Sequence, residues 1–270
     1  MLKLNAKIAG IVISFLIIAF LMQDLKCKNC LAGTDSPPQE LKLYLVGTWD
    51  FEDIKDGKVI DKSDKHNDLV ITGKPVFEEG VKGKCITLNG ETDYCYIPNE
   101  KQNGLEVGDA DFIIGLYYKP DEDSYKADNK RVQEIVTKGC PYTEDRLSGY
   151  EIVTRTDYGA QIYAKFGDGT INQQAGYKSS LAVDGKWHHV LVIKKGGLIQ
   201  FYFDGAEQYR LQPGKHLSVS SPDAFVIGAN YLHTFLFKGS IDEVFVYRFP
   251  SGIPSGLEGL ISNLVQNRQK

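Results

Sequence analysis

The chain of 270 residues has no excess of positive charge. Its formal net charge is −4, and residues 1–32 hold four lysines against one aspartate, so the remainder is more acidic still. The other lysines and arginines are interspersed with acids instead of clustered. Because a phosphate backbone is bound mainly through clustered basic side chains, we expect no nucleic-acid partner.

The short motifs of common catalytic sites are also missing. The sequence contains no Gly-x-Ser-x-Gly, no His-Glu-x-x-His and no phosphate-binding loop. These absences argue against the enzymes that use such motifs, and we expect no organic cofactor. With 42% hydrophobic and 24% charged residues, the composition is that of an ordinary globular protein.

The main uncharged run is short for a membrane span. It covers residues 8–22, or 15 residues, fewer than the roughly 20 that usually cross a bilayer. Lys3 and Lys7 precede it, as in a secretory signal peptide. Residues 1–32 are therefore either a signal peptide removed after Ala32 or an uncleaved anchor. In both cases we expect the rest of the chain outside the cell or at its surface, with the membrane contacted only by this segment.

Beyond a predicted stalk at residues 33–42, short apolar or alternating runs recur about every 8–12 residues, a spacing typical of a β-sandwich. Turn pairs such as Asn89-Gly90 favour hairpins between the runs. The predicted strands are Leu43–Phe51, Leu69–Thr72, Lys84–Asn89, Tyr94–Ile97, Asp111–Lys119, Arg131–Lys138, Gly149–Thr154, Ala160–Phe166, His188–Lys194, Leu198–Phe203, Ala224–Ile227 and Ser240–Tyr247.

The C-terminal segment has a different pattern. Its apolar residues recur at helical spacing and fall on one face. They are Leu257, Leu260, Ile261 and Leu264. We therefore predict an amphipathic helix over Ser255–Asn267, within a helical tail of residues 251–270.

Several phrases, taken in order, resemble the laminin-G-like family of concanavalin A-like jelly-roll domains. They are Trp49-Asp50-Phe51-Glu52-Asp53, Gly83-Lys84-Cys85-Ile86-Thr87-Leu88-Asn89-Gly90, Asp184-Gly185-Lys186-Trp187-His188-His189-Val190, Phe201-Tyr202-Phe203-Asp204-Gly205 and Gly239-Ser240-Ile241-Asp242-Glu243-Val244. The resemblance covers residues 43–250. It implies an all-β fold in which two antiparallel sheets form a jelly-roll sandwich.

Members of this fold often carry a structural calcium ion, and the resemblance implies one here. Its ligands would be Glu52 on the first strand, Asn67 in the following loop and Asp242 on the last strand, all oxygen donors suited to calcium. The family usually has Asp in place of Glu52. The His188-His189 pair is structural in the family, and adjacent strand residues point to opposite faces, so we expect no shared metal ion there.

Cys85 and Cys95 lie at equal distances from Gly90. If the two strands form a symmetric hairpin, the cysteines are directly opposed, and export favours their oxidation to a disulfide. The alternative is that they pack side by side as small apolar residues.

The same fold hosts enzymes as well as binding modules. Glycoside hydrolysis normally needs two carboxyl groups at the bond, and the Glu-x-Asp-x-x-Glu strand of laminarinase-type relatives does not occur here. We therefore predict a non-catalytic recognition module for a carbohydrate or an extracellular protein. A polysaccharide-degrading enzyme and a structural envelope protein are the alternatives.

Tyrosines near loops are candidates for stacking on sugar rings. They are Tyr142, Tyr158, Tyr163, Tyr177 and Tyr231.

Overall fold

The structure, a computed structural model, describes residues 39–126, 131–140, 148–170, 172–212 and 217–266. The predicted signal or anchor segment at residues 1–32 and the candidate Tyr142 lie outside the described residues. In the described ranges, no helix is long and apolar enough to cross a membrane.

Within these residues the chain forms 17 strands. The first nine are β1 (Leu45–Trp49), β2 (Ile54–Lys55), β3 (Lys58–Val59), β4 (Leu69–Thr72), β5 (Val76–Glu79), β6 (Lys84–Asn89), β7 (Tyr94–Ile97), β8 (Asp111–Pro120) and β9 (Val132–Cys140). The others are β10 (Ser148–Arg155), β11 (Gln161–Asp168), β12 (Asn172–Lys178), β13 (His188–Lys195), β14 (Leu198–Phe203), β15 (Ala206–Leu211), β16 (Phe225–Ile227) and β17 (Lys238–Phe249).

The strands form two antiparallel sheets, which confirms the predicted jelly-roll sandwich. The smaller sheet has the order β15-β14-β13-β8-β17-β6-β5, and β1 also pairs with β17. The larger sheet has the order β12-β11-β10-β9-β16-β7-β4-β3-β2. Strands that pair with each other are often distant in sequence, as β8 and β17 are. The segments that join consecutive strands therefore often cross from one part of the sandwich to another.

The core lies between the two sheets and is built from alternate residues of each strand. Aromatic rings make the contacts from sheet to sheet. Trp49 of β1 stacks on Phe225 of β16 at 5.1 Å between ring centroids. Phe112 of β8 packs against Tyr150 of β10 and Phe166 of β11 at 5.5 and 5.7 Å. These residues have 0–2% exposure, so their burial supplies much of the apolar driving force for folding.

The outer face of the smaller sheet is covered by a second apolar cluster. Ile113 and Leu191 belong to it, and they alternate along their strands with core residues. Leu257 and Ile261 pack on the same cluster from the C-terminal segment. The chain has a one-turn helix before β1, α1 (Gln39–Lys42), and the predicted C-terminal helix is confirmed as α2 (Glu258–Val265). The apolar face that the sequence predicts therefore packs helix α2 against the outer face of the smaller sheet.

The predicted hairpin around Gly90 is wrong, and so is the predicted disulfide. β6 pairs with β5 and β17 in the smaller sheet, whereas β7 pairs with β4 and β16 in the larger sheet. The Asn89 side chain organises the connection, because its Oδ1 accepts the N–H groups of Glu91 and Thr92. The chain thus crosses between the sheets. Cys85 and Cys95 end up in different sheets, and both are buried free thiols.

β9 and β10, at the centre of the larger sheet, contain the same short stretch. Each includes the sequence Glu-Ile-Val-Thr, at residues 134–137 and 151–154. The pairing register of the two strands shifts at a β-bulge in β9. Ile135 and Val136 therefore both belong to the core. The regular alternation of β10 is undisturbed.

The bulge sends equivalent residues of the two strands to opposite faces. The residue directly after each Glu-Ile-Val-Thr stretch is basic: Lys138 in β9 and Arg155 in β10. Lys138 lies opposite Tyr150 and points inward, whereas Arg155 points outward. Both glutamates, Glu134 and Glu151, stay on the outer face.

Candidate functional site

The outer face of the larger sheet holds two buried glutamates at its centre. Glu134 is 0% exposed and Glu151 is 2% exposed. Within the described part of the chain, none of their four carboxyl oxygens has a hydrogen-bond partner. Buried polar atoms in folded proteins are nearly always hydrogen-bonded, so such an arrangement points to a role other than packing. We refer to Glu134 and Glu151 as the acidic pair.

The acidic pair is set diagonally across two neighbouring strands. Glu134 lies opposite Val153, and Glu151, two residues before Val153, lies opposite Thr137. Diagonal neighbours in antiparallel strands are about 7–8 Å apart, a distance that long side chains bridge. Burial raises the pKa of both carboxyl groups, and the charge of Glu151 raises the pKa of Glu134 further. Both groups therefore keep their protons to a higher pH than exposed glutamates do.

Two basic side chains lie near the acidic pair. Lys165 of β11 is directly opposite Glu151, and Arg155 follows at the end of β10. Their charges oppose the rise in the pKa of both acids. Arg155 is committed to other groups, because it bonds the Asp157 carboxylate through two nitrogens and donates from Nη1 to the Tyr163 hydroxyl at 3.3 Å. The face is thus acidic at its centre and basic at one edge.

Apolar and aromatic side chains border the acidic pair. Val132, Val153 and Tyr163 form a small buried cluster on this face, and Phe235 packs against it. Gly176 of β12 lies opposite Tyr163, and a Cβ at Gly176 would come within 2.3 Å of the Tyr163 Cβ. Glycine at this position therefore leaves room for the tyrosine beside the acids.

The segment between β16 and β17 brings further aromatic rings to the face. The carbonyl oxygen of Phe235 accepts a hydrogen bond from the N–H of Glu134 at 2.8 Å. His233 stacks on Tyr94 of β7, with ring centroids 4.2 Å apart, and Tyr96 lies 6.1 Å from Tyr94. Phe235 and His233 both have left-handed backbone conformations, with φ of 49° and 56°. Such strained residues are concentrated at functional sites.

Two of the predicted ligand-binding tyrosines that the structure describes, Tyr158 and Tyr163, lie on or beside this face. Tyr158 is 72% exposed, and the Arg155 guanidinium lies 4.8 Å from its ring centroid. Tyr163 is bound by the same guanidinium. Tyr231 lies in the segment that supplies Phe235. One arginine thus connects a rim tyrosine to the centre of the site.

Tyr177 is a correction to the prediction. It lies opposite Ile162, on the core side of β12, and its ring packs against Phe203 of the smaller sheet at 4.8 Å. Side chains of a strand alternate between faces, and Tyr177 falls on the face away from the acidic pair. It is a core residue.

The two histidines of β13 point to opposite faces, as their adjacent positions predict. The ring nitrogens of His188 bond to Asp184 and Asp204 at 2.9 and 2.8 Å. His189 packs against Tyr117, with centroids 4.7 Å apart, and burial lowers its pKa to about 4. The two rings do not converge, which rules out a metal ion shared between them.

Two of the three predicted calcium ligands meet at the turn between β5 and β6. Glu52 Oε1 accepts a hydrogen bond from the Lys84 N–H. Asp242 Oδ2 accepts hydrogen bonds from the N–H groups of Val81 and Lys82 at 2.8 and 3.1 Å. Burial raises the pKa of Asp242 to about 7. A cation at this turn would favour the ionised form of Asp242.

The third predicted ligand, Asn67, is engaged mainly in tying the chain together. Its Nδ2 donates to the carbonyl oxygens of Val46 and Asn103 at 2.6 and 2.9 Å, and its Oδ1 accepts from the Asn103 N–H at 2.8 Å. One lone pair of Oδ1 is left for an ion. Across the ranges that the structure describes, His, Cys, Asp and Glu form no group of three that could hold a metal.

Reasoning from the sequence missed the acidic pair, together with Arg155, Lys165 and Phe235. A signal was present, since a glutamate inside a strand of otherwise buried residues is unusual. Glu134 and Glu151 both begin a Glu-Ile-Val-Thr stretch. What the sequence does not contain is the register that places the two stretches side by side.

The chain is similar in sequence to a known family. A family model described as the Concanavalin A-like lectin/glucanases superfamily matches residues 89–250, which is more than half of the chain. The chain belongs to this superfamily. A comparison with curated protein sequences finds no match.

Solved structures share the fold at low sequence identity. Domain 4 of AbnA, an extracellular arabinanase from Geobacillus stearothermophilus, solved with arabinotriose, has a TM-score of 0.56 and 17% identity, over 84% of this chain and 98% of that one. The binding domain of Paraclostridial Mosquitocidal Protein 1 has a TM-score of 0.60 and 14% identity, over 84% and 52%.

A third similar structure comes from botulinum neurotoxin type C, whose cell entry depends on two ganglioside molecules. Its TM-score is 0.56 and its identity 11%, over 84% of this chain and 52% of that one. The present chain therefore spans about half the length of these two toxin structures. At such identities the shared property is the fold.

Proposed function

We propose that this chain is a recognition module that binds a carbohydrate through the outer face of the larger sheet. One observation carries the proposal. Glu134 and Glu151 are buried at the centre of that face, and among the described residues nothing hydrogen-bonds to their carboxyl oxygens. A ligand that donates hydrogen bonds to the acidic pair would remove the cost of leaving these atoms unpaired.

A sugar suits both kinds of group on this face. Its hydroxyl groups donate to carboxyl oxygens, and its C–H faces stack on aromatic rings such as the exposed Tyr158 and the partly exposed Phe235. Two of the similar structures belong to proteins described with carbohydrate ligands, arabinotriose and gangliosides. These ligands support a carbohydrate over a protein as the partner.

Screening of the full chain on a glycan array tests the proposal. We expect binding to a subset of glycans, weakened about tenfold or more in the Glu134→Gln/Glu151→Gln double variant because the carboxyl groups that bond the sugar hydroxyls are lost. The matched control is Glu91→Gln, which changes an exposed carboxyl in the turn after β6. Glycan binding that survives the double variant would place the ligand elsewhere. A blank array together with capture of a protein partner would replace the carbohydrate with a protein.

A second candidate function, glycoside hydrolysis, is favoured by the same two carboxyl groups. The reaction requires two carboxyl groups placed on either side of the bond, one of them with a raised pKa to act as the acid. Release of reducing sugar from a polysaccharide panel, abolished by Glu151→Gln, would establish it. Glycan binding without such release would leave recognition as the function.

Calcium at the β5–β6 turn is a separate proposal, with Glu52 and Asp242 as ligands and Asn67 as a further oxygen donor. A bound ion stabilises the folded state by mass action. We expect the melting temperature to rise with added calcium and to fall with a chelator, and the Glu52→Gln variant to lose this response. Identical melting curves in calcium and chelator would dismiss the ion.

Export is the final part of the proposal, with recognition taking place outside the cell. The motivation is the uncharged run at residues 8–22 behind Lys3 and Lys7. The intact mass of the protein recovered outside the cytoplasm would distinguish cleavage after Ala32 from a retained anchor. Recovery of all the protein from the cytoplasm would refute export.

A further inference from the structure

We propose that the acidic pair binds the ammonium group of an amino sugar. The inference rests on the carbohydrate-binding function proposed above and narrows its ligand to glycans that contain a free amine. The geometry points to this group because a fully buried pair of carboxyl groups is placed between aromatic side chains on the outer face of the larger sheet.

The first step concerns donors and acceptors. An ionised carboxyl group only accepts hydrogen bonds, and an ammonium group only donates them, with three N–H bonds in a compact point charge. A sugar hydroxyl donates a single hydrogen bond, so it would serve only one of the oxygens of Glu134 and Glu151. In the described ranges, the pair's four oxygens accept from no protein group, so an ammonium group matches them more completely than a hydroxyl does.

The second step concerns charge. The guanidinium of Arg155 is held by Asp157 and Tyr163. Lys165 stands directly opposite Glu151 in β11, yet its ammonium group is not bonded to either acid. In the part that the structure describes, neither base donates a hydrogen bond to the pair, although the charges of both act on it. A ligand cation at this point would allow both acids to ionise, since an opposite charge within about 4–6 Å favours the charged form.

The third step distinguishes an amino sugar from the lysine side chain of a protein partner. Tyr163 and Phe235 pack in one cluster beside the pair, and His233 and Tyr94 stack on each other farther along the segment. A pyranose ring presents a flat apolar face to such rings and carries its amine directly on the ring. An aromatic ring also attracts a nearby cation. A flexible lysine chain would gain only the second of these contacts.

Ligand binding has a consequence that a structural role of the pair would not produce. Because burial raises the pKa of both carboxyl groups, the free protein carries protons at the pair near neutral pH. A bound ammonium group ionises the pair, and the protons go to the buffer. Binding of the amino sugar should therefore release protons and strengthen as the pH rises through neutrality, as long as the ligand amine stays charged.

The test uses calorimetric titration of the full chain with two matched ligands, a glucosamine oligosaccharide and its N-acetylated counterpart of the same length. We expect the free-amine oligosaccharide to bind about tenfold tighter or more, with proton release seen as a dependence of the heat on the buffer. Glu134→Gln and Glu151→Gln should each remove this preference, and Glu91→Gln should retain it.

Several results would overturn the inference, and they separate it from the proposed function. Equal affinity for the two oligosaccharides, or a preference kept in both Gln variants, refutes the ammonium site. If neither oligosaccharide binds but another glycan on the array does, the carbohydrate function stands and the amino sugar is wrong. If no glycan binds, the proposed function fails as well. Tighter binding of a lysine-rich peptide than of the glucosamine oligosaccharide would reassign the site to a protein ligand.

Discussion

Strand β9 carries two buried charged residues four positions apart, and their surroundings are opposite. Lys138, on the core side, is 0% exposed, and the three N–H bonds of its ammonium group are shared among four oxygens within hydrogen-bond distance. They are Asn99 Oδ1 at 3.0 Å, Glu106 Oε2 at 3.2 Å, Ser221 O at 2.6 Å and Asp223 O at 2.6 Å. Glu134, on the outer face, is as deeply buried, and within the described residues its carboxyl group has no such partner.

The contrast separates a structural buried charge from one that serves a ligand. A buried ion that is fully hydrogen-bonded holds distant segments together, as Lys138 holds the chain around residues 99–106 to that around 221–223. A buried carboxyl group without partners costs free energy on folding, whether it stays charged or takes up a proton. Its retention in Glu134 and again in Glu151 is explained if the missing partner comes from outside the chain.

The largest expected effect is at Lys138. Lys138→Met removes the ammonium group and breaks its hydrogen bonds to the chain around residues 99–106 and 221–223, so we expect a loss of about 3–5 kcal/mol in the free energy of unfolding. Urea denaturation measures it. Lys165→Met, on the outer face, is the matched control and should change stability by less than about 1 kcal/mol. Equal losses in the two variants would remove the contrast between the faces.

The next largest effect is at Glu151, where we expect the substitution to raise the free energy of unfolding. Because its pKa is raised in the folded chain, the folded state holds a proton that the unfolded state releases above a pH of about 4.3, and stability falls as the pH rises from there. Glutamine does not ionise. We expect Glu151→Gln to be more stable than the wild type by about 2–3 kcal/mol at pH 8, with the difference shrinking toward pH 4.5.

Denaturation curves at pH 5, 6.5 and 8 measure the Glu151 effect. Glu91→Gln, which changes an exposed carboxyl outside the larger sheet, is the control. A wild type more stable than Glu151→Gln at pH 8 would mean that the carboxylate is well paired in solution. The acidic pair would then lose its claim to be a ligand site.

His189 extends the comparison to a buried base. Within the described residues its two ring nitrogens have no hydrogen-bond partner, and burial lowers its pKa to about 4. The unfolded state then binds a proton that the folded state excludes, so the stabilisation is lost as the pH falls from about 6.5 toward 4. We compare the free energy of unfolding of His189→Phe with that of the wild type. We expect the difference in favour of the variant to be about 1–2 kcal/mol larger at pH 5 than at pH 7.5.

Thermal denaturation at the two pH values measures the His189 effect. The exposed His66, replaced by Asn, serves as the control. If His189→Phe follows the wild type at both pH values, the histidine is either solvated or protonated in the folded state.

The smallest effect on stability is expected at Tyr158, on the rim of the ligand face. It is 72% exposed, so Tyr158→Ala should change the free energy of unfolding by less than about 0.5 kcal/mol. Loss of its ring from the Arg155 side of the face should still weaken glycan binding about fivefold. The exposed Tyr209 of β15 provides the control, and Tyr209→Ala should alter neither quantity. Equal glycan affinity in the two variants would confine the site to the centre of the face.

The strand pattern was predictable where apolar residues alternate or run continuously. β4, β6, β7 and β14 have the predicted bounds, and β8 differs by one residue. β12 was missed because its sequence, Asn-Gln-Gln-Ala-Gly-Tyr-Lys, offers little apolar alternation. β12 and β15 end the two sheet orders, and each is a strand because its neighbour supplies the hydrogen bonds. The β-propensity of the individual residues says little about which segment will pair with such a neighbour.

The candidate site was less predictable than the fold. Tyr158 and Tyr163 were named from the sequence, but their link through Arg155 depends on the pairing of β10 with β11. Tyr177 was misplaced, since its face follows from the register of β12. The cysteine prediction failed for a related reason. Equal spacing around Gly90 suggested a hairpin, whereas tertiary pairing sent the two strands to different sheets.

The sequence by itself determined the all-β sandwich, the C-terminal helix and the family phrases, because alternation, turn residues and helical spacing are local properties of the chain. The tertiary structure decided which charges face the core and which face outward. Two identical Glu-Ile-Val-Thr stretches became different because one bulge in β9 turned Lys138 inward, while Arg155 in β10 stayed outside. Register across strands is set by the packing of the whole sandwich, and it alone brought Glu134 and Glu151 together.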